Sequence, residues 1–190
     1  MGLNFNQPLS DSLSNLLNLQ QLTLGYYFNQ PLSNSLSNLL NLQQLNFGFY
    51  FNKPLSDSLS KLINLKHLSL GNSFNQQLEI PSNIIKLSLD CSNEYIINNL
   101  PNSIDSQSLD CNLATREELN FGYHFNLELD NLQNSIKKIK FDIKSQYNKE
   151  LNNLPIGLEY LELSKNFNNP IKNISSNLLI HPKSLEICTP

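Results

Sequence analysis

Histidine and cysteine side chains bind metals and act as nucleophiles or bases in many proteins, so their spacing indicates chemistry. The chain of 190 residues has three of each, and no pair has the short spacing of a metal-ligand motif. No combination of Ser, His and an acid stands out among the many serines. We therefore expect no metal, no cofactor and no catalytic centre. The six side chains are those of His67, His124, His181, Cys91, Cys111 and Cys188.

Charge and hydropathy restrict the partners further. Only 15% of the residues are charged, and the net charge is -3 with a pI of about 5.6. Phosphate binding requires a basic surface, so nucleic acid is not an expected partner. The N-terminus lacks the basic and apolar segments of a secretory signal, and no run of about 18 apolar residues could span a membrane. We therefore expect an intracellular, cytoplasmic protein.

The sequence Phe-Asn-Gln-Pro-Leu recurs, with small variations, at a fixed spacing of 23 residues. Such a period indicates stacked supersecondary units rather than one closed core. The second, third and fourth motifs each follow an L-x-L or L-x-F segment, in which alternate residues face the same side of a strand. Between motifs, Leu36–Leu42 has helix-like spacing over few residues, which favours an irregular or 3-10 return. The motifs are Phe5–Leu9, Phe28–Leu32, Phe51–Leu55 and Phe74–Leu78.

The strand segments predict a single solenoid domain over residues 1–190 with about eight coils, irregular near 90–118. Gln107–Leu109 begins only twelve residues before Leu119–Phe121, so either it is not a strand or its coil has lost the return. Cys91 and Cys111 lie in this region, and they are either a disulfide pair or two buried thiols; a reducing compartment favours thiols. The predicted strands are Leu22–Leu24, Leu45–Phe47, Leu68–Leu70, Leu87–Leu89, Gln107–Leu109, Leu119–Phe121, Ile139–Phe141, Leu161–Leu163 and Leu185–Ile187.

Three residue types recur at a constant offset from these strands. We interpret the Phe column as a core spine rather than a ligand-stacking surface, and the Asn column as a ladder that satisfies backbone groups between coils. The glycines just past the strands predict turns or close backbone approach. The columns are Phe5, Phe28, Phe51, Phe74, Phe125 and Phe167, with Tyr147 as a substitute; Asn6, Asn29, Asn52, Asn75, Asn126, Asn148 and Asn168; and Gly25, Gly48, Gly71 and Gly122.

The repeat resembles the FNIP repeat of the leucine-rich-repeat superfamily, which is abundant in social amoebae and in giant DNA viruses of amoebae. The resemblance implies a leucine-rich-repeat-like α/β solenoid, with short parallel strands on the concave side and irregular or 3-10 returns on the convex side. FNIP repeats often follow an F-box that recruits a ubiquitin ligase, so ligase components are implied as alternative partners, although no F-box is visible here. A viral member would act in the host cytoplasm. The matching segments are Leu22–Leu32, Leu45–Leu55, Leu68–Leu78, Leu119–Asn126 and Leu161–Ile171.

The outward side chains of the strands are the candidate site. They vary while the Phe and Asn columns do not, and solenoids bind partners across such a sheet; a merely solvated face is the other interpretation. A second surface, Tyr26–Tyr27, Phe49–Tyr50 and Tyr123–His124, would anchor a partner or pack beside the spine. The candidate partner-binding residues are Gln21, Thr23, Gln44, Asn46, His67, Ser69, Lys138, Lys140, Tyr160 and Glu162.

These observations predict a monomeric, non-catalytic scaffold that binds a partner protein on the exposed strand face. The first alternative is the substrate-binding part of a ubiquitin-ligase adaptor. The others are a structural protein and a remnant of a repeat protein.

Overall fold

The computed structural model describes residues 2–32, 35–100, 117–130, 132–174 and 176–182. Within these ranges, eight short strands pair in parallel and in chain order to form one sheet. Each coil therefore stacks on the coil before it, which is the arrangement of a solenoid. The strands are β1 (Gln21–Thr23), β2 (Gln44–Asn46), β3 (His67–Leu70), β4 (Lys86–Leu89), β5 (Glu118–Phe121), β6 (Lys138–Phe141), β7 (Tyr160–Leu163) and β8 (Leu179–Pro182).

The register of the sheet aligns equivalent residues of successive repeats. Leu22 of β1 pairs with Leu45 of β2, which pairs with Leu68 of β3, and all three side chains are buried. Their neighbours on each strand point to the opposite face, because side chains alternate along a strand. The L-x-L segments are confirmed as strands in the described part of the chain, with bounds that differ by about one residue.

The returns are built mainly from tight turns. The backbone N–H of Leu39 donates to the carbonyl of Leu36 over 3.0 Å, and that of Leu42 donates to Leu39 over 2.9 Å. These three-residue steps are those of a 3-10 helix, so the prediction of irregular or 3-10 returns is confirmed. Two short helices also occur, α1 (Ser56–Leu59) and α2 (Glu94–Asn98).

The Phe column forms two stacks of rings in the core, one from Phe5 to Phe74 and one from Phe125 to Phe167. Phe28, Phe51 and Phe74 are buried, and their rings lie parallel with centroids 6.2 Å apart. Tyr147 takes the same place further along, between Phe125 and Phe167. Parallel stacking at this distance follows from the coil spacing, and it confirms the interpretation of the column as core.

The Asn column forms the expected ladder between coils. The backbone N–H of Asn29 donates to the side-chain oxygen of Asn6 over 2.8 Å. In the same way, the N–H of Asn52 donates to the side-chain oxygen of Asn29, and the N–H of Asn75 donates to that of Asn52, each over 2.9 Å. In the fifth coil, the N–H of Asn126 donates to the hydroxyl of Ser92 instead, over 3.1 Å. Each bond satisfies a turn amide that the strands leave without a partner.

A second asparagine ladder at the end of the returns was not predicted. The side-chain amide of Asn41 donates to the carbonyl of Leu17 over 2.9 Å, and that of Asn64 donates to Leu40 over 2.8 Å. The Asn-Leu dipeptide just before each early strand is the sequence signal that could have identified it. These bonds tie the convex returns together, as the first ladder ties the turns.

The irregular region lies between two strands that are neighbours in the sheet. Strand β4 pairs directly with β5, so that Leu87 faces Leu119 across 32 residues, and β4 pairs with β3 on its other side. Hence, among the described strands, β4 and β5 are direct neighbours in the sheet. Gln107–Leu109, Cys111, Leu185–Ile187 and Cys188 lie outside the described residues, whereas Cys91 is a buried free thiol. Strand β8 was not predicted, because Leu179–Pro182 lacks the L-x-L pattern.

Candidate functional site

Outward side chains of the strands form two parallel rows across the sheet, because the strands are in register. All the candidate partner-binding residues lie in these rows, and the structure adds several that were not predicted. The first row is Gln21, Gln44, His67, Lys86, Glu118, Lys138, Tyr160 and Leu179, and the second row is Thr23, Asn46, Ser69, Ser88, Asn120, Lys140, Glu162 and His181.

The rows begin with uncharged polar residues. The side-chain amide of Asn46 donates to the hydroxyl of Thr23 over 3.1 Å. Further along the same row, the amide of Asn120 donates to the hydroxyl of Ser88 over 3.4 Å. These bonds link neighbouring strands and leave the early half of the face polar, with His67 as its only titratable residue on β1 to β3.

The middle of the face carries a charge network centred on Glu118. One carboxylate oxygen of Glu118 lies 3.0 Å from the ammonium of Lys86 and 3.1 Å from that of Lys140. Burial acts to raise the pKa of Glu118, but hydrogen bonds from Lys86 and Lys140 outweigh it and lower the pKa below its usual range. The network holds three side chains from three strands in one geometry. Lys86 and Glu118 were missed, although strand alternation at β4 and β5 could have identified them.

Aromatic rings follow the charge network. The ammonium of Lys140 lies 5.7 Å from the centre of the Tyr160 ring, within the range of a cation–π contact. The ring of His181, which lies on β8 opposite Glu162, also stacks on the Tyr160 ring, with centroids 5.3 Å apart. His181 was not predicted as part of the face, because its strand was not predicted. The far half of the face therefore combines charge with aromatic surface.

At the carboxyl ends of the central strands, the second row borders an open depression of about 290 Å³. Its lining carries more carboxylates than cations. Residues from the strands and from the turns that follow them meet here, including Asp90, Asn120, Gly122, Lys140, Asp142 and Glu162.

Beside this depression lies a cluster of rings, which we call the aromatic cluster: Tyr26, Tyr27, Phe49, Tyr50, Tyr123 and His124. Tyr27 stacks on Tyr50 at 5.2 Å, and Tyr26 stacks on Phe49 at 5.0 Å. The four tyrosines remain between 38% and 46% exposed. These rings pack on one another outside the buried spine, and whether they anchor a partner stays a prediction.

The cluster joins coils that are not adjacent. Phe49, which follows β2, contacts the His124 ring, which follows β5, with ring centres 5.4 Å apart. In the third coil, Ser73 occupies the place of Tyr50. The backbone N–H of Ser73 donates to the carbonyl of Phe49, just as the N–H of Tyr50 donates to the carbonyl of Tyr26.

His124 is held in this position by Asp90. The two oxygens of Asp90 accept from the backbone N–H and the Nδ1 of His124, each over 3.0 Å. The added Cβ of an alanine at Gly122 would collide with the same carboxylate, so the small residue is needed for this contact. Neither Asp90 nor its pairing with His124 was predicted, because 34 residues separate the two.

In the described parts of the chain, no group of three or more His, Cys, Asp or Glu could hold a metal ion. Over the same residues, no helix is long and apolar enough to cross a membrane. Burial raises the pKa of the Cys91 thiol to about 12, so this thiol is protonated and unreactive at neutral pH.

Comparison with solved structures identifies the architecture. The crystal structure of CroV588, described as a novel circular LRR protein, superposes with a TM-score of 0.58 and 26% sequence identity over 94% of this chain. The fold is a leucine-rich-repeat solenoid. This leucine-rich-repeat chain spans 28% of the length of CroV588. No protein-family model and no curated protein matches the sequence.

Proposed function

We propose that this leucine-rich-repeat solenoid is a protein-interaction scaffold, which binds a partner protein across the strand face and performs no chemistry of its own. Leucine-rich-repeat folds are commonly interaction scaffolds and typically non-catalytic. The observation that carries the proposal is the pair of continuous rows, whose chemistry changes from amides and hydroxyls to charges and rings. Such a graded surface suits recognition of one extended partner.

Within this face, the contact residues that we propose are those inferred from strand alternation. The charged half supplies specificity, because mismatched charges on a wrong partner would be costly. The polar half supplies hydrogen bonds. The proposed contacts are Gln21, Thr23, Gln44, Asn46, His67, Ser69, Lys138, Lys140, Tyr160 and Glu162.

We further infer that the coils are FNIP repeats, of a protein from an amoeba or a giant virus of amoebae that acts as a monomer in the cytoplasm. This inference is supported by the contacts of the Phe-Asn pair of the motif. Phe51 stacks on Phe28 in the core, and Asn52 bonds to Asn29 in the ladder. This inference favours a second candidate function, the substrate-binding part of a ubiquitin-ligase adaptor. Capture of ligase subunits would discriminate it from a simple scaffold.

Affinity capture from an amoebal extract tests the proposal. The test variant combines Lys140→Ala with Glu162→Ala, which removes one charge of each sign from the strand face. The matched control combines Lys61→Ala with Asp11→Ala, which removes the same charges from exposed positions in the returns. We expect one retained protein that is lost with the test variant and kept with the control, at unchanged thermal stability. A partner retained equally by both variants would contradict binding on the strand face.

A further inference from the structure

The aromatic cluster is an exposed apolar surface that the fold does not require. The rings of the spine already fill the core, and they are buried. The four tyrosines of the cluster instead expose about two fifths of their surface. Exposed tyrosines that are held rigid by their neighbours are the side chains that most often anchor a partner.

One carboxylate, that of Asp90, borders this surface at His124, and two more line the adjoining depression. Burial raises the pKa of the Tyr26 phenol, and the neighbouring Tyr50 and Tyr27 raise it further. The carboxylate of Asp90 is close enough to contribute to the same rise. Asp90, Asp142 and Glu162 also line the adjoining depression. Its one lysine is Lys140, whose ammonium is already paired with Glu118. The surface is therefore aromatic and negatively charged.

These two properties together select a cationic occupant. A guanidinium group stacks on a tyrosine ring and pairs with a carboxylate through its planar fork, so arginine fits both parts of the surface. Lysine fits the carboxylates but presents only a point charge to the rings.

We propose that the aromatic cluster and the depression beside it bind an extended, arginine-bearing segment of a partner protein. The proposal rests on the proposed scaffold function, since the depression belongs to the strand face. In the bound state the rings of Tyr27 and Tyr50 contact the segment, and Asp142 pairs with a guanidinium group. Asp142 is exposed.

Other occupants fit the charges less well. Two copies of the chain that met symmetrically through this surface would place the carboxylates of Asp90 and Asp142 against one another, and like charges repel. A nucleic acid or a phosphorylated segment would meet the same repulsion. The charge on the surface thus favours a basic segment over a second copy.

Selection from a phage-displayed library of short random peptides tests the proposal. The full chain is the bait, and a parallel selection uses Tyr27→Ala with Tyr50→Ala. We expect enrichment of arginine-containing peptides on the parent chain and loss of that enrichment on the double variant. Enrichment of acidic or purely apolar peptides, or no enrichment at all, would overturn the proposal.

Affinities of one selected arginine peptide provide the residue-level test. We expect Asp142→Asn to weaken binding by about tenfold, because it removes a partly exposed charge contact. We expect a similar loss for the double tyrosine variant, because it removes a cation–π contact. The matched controls are Asp11→Asn and Ile156→Ala, which alter exposed residues in the returns and should leave affinity unchanged. Replacing arginine by lysine in the peptide should also weaken binding. Equal weakening by test and control variants would refute the site.

The same reagents separate this inference from the proposed function. If the partner from cell extract is lost with Lys140→Ala and Glu162→Ala but retained by the double tyrosine variant, the strand face binds and the aromatic site is wrong. If both variants lose it, the partner binds the strand face and the aromatic cluster together, as proposed; if only the double tyrosine variant loses it, the partner binds the aromatic cluster without Lys140 and Glu162, which contradicts the proposed function. A dimer in sedimentation velocity that dissociates with Tyr27→Ala and Tyr50→Ala would identify a second copy as the occupant and overturn the proposal.

Discussion

The backbone N–H of Asn52 donates to the side-chain oxygen of Asn29, 2.9 Å away and one coil earlier. The side-chain oxygen of Asn52 in turn accepts from the N–H of Asn75 and from the amide of Gln76. The same hydrogen bond between asparagines therefore repeats from coil to coil in this part of the solenoid. Because each amide is otherwise without a partner, the ladder makes the stability of one coil depend on its neighbours.

Replacing Asn52 by Ala should destabilise the protein by about 1–3 kcal/mol, because the amides of Asn75 and Gln76 lose their acceptor. Asn52→Asp is the matched variant, since its carboxylate can still accept both bonds, and it should keep most of the stability. Urea unfolding measures both. Equal losses for the two variants would show that the acceptor is not what matters at this position.

Phe51→Ala should cost about 3–5 kcal/mol, because it opens a cavity between two stacked rings of the spine. Phe5→Ala is the control, as Phe5 is 37% exposed and stacks on Phe28 at the edge of the described coils. Its loss should be clearly smaller. Denaturant titration of both variants checks the prediction, and a loss below about 1 kcal/mol for Phe51→Ala would count against the spine.

Gly48→Ala should destabilise the protein by about 1–3 kcal/mol or more, the usual cost of overpacking. The added Cβ would lie 2.1 Å from the carbonyl oxygen of Gly25, and backbone must move to relieve that contact. An alanine at Gly2 meets nothing within 4 Å, so Gly2→Ala should leave the melting temperature unchanged. A tolerated Gly48→Ala would mean that adjacent coils can separate without loss.

Tyr147→Phe should stabilise the protein by roughly 1 kcal/mol. The Tyr147 side chain is fully buried, and its hydroxyl has no hydrogen-bond partner; burial accordingly raises the pKa of this phenol. Its neighbours in the stack, Phe125 and Phe167, are Phe rather than Tyr. Tyr160→Phe on the strand face is the control, with little expected effect. Thermal unfolding that shows Tyr147→Phe to be destabilising would indicate a partner for the hydroxyl in solution.

Glu118→Gln should remove roughly 1 kcal/mol at neutral pH, because Lys86 and Lys140 lose their shared carboxylate. The folded-state pKa of Glu118 is lowered, so its contribution is complete above the usual Glu pKa of about 4.3 and disappears as the pH falls through the lower folded value. Urea unfolding at several pH values measures the difference between parent and variant. Exposed Glu79→Gln should show no comparable pH dependence. A difference that persisted in strong acid would contradict the assignment.

The regular coils were predictable because their contacts are local in the stack. Leu22, Leu45 and Leu68 recur at one spacing and pair with one another, so the period alone determines the register, the core and the outward rows. The contacts of Phe51 and Asn52 were predictable for the same reason, because each residue contacts its equivalent one coil away. Whether the outward residues bind a partner stays a prediction.

Contacts between residues that are not equivalent in the repeat were evident only from the tertiary structure. Leu87 pairs with Leu119 although 32 residues, more than one period, separate them, and Leu179–Pro182 joins the sheet without the L-x-L pattern. Asp90 pairs with His124, and Phe49, three strands away in the sheet, contacts the same ring. A one-dimensional repeat specifies contacts between equivalent neighbours, whereas contacts between different positions of distant coils depend on the packing of the whole stack.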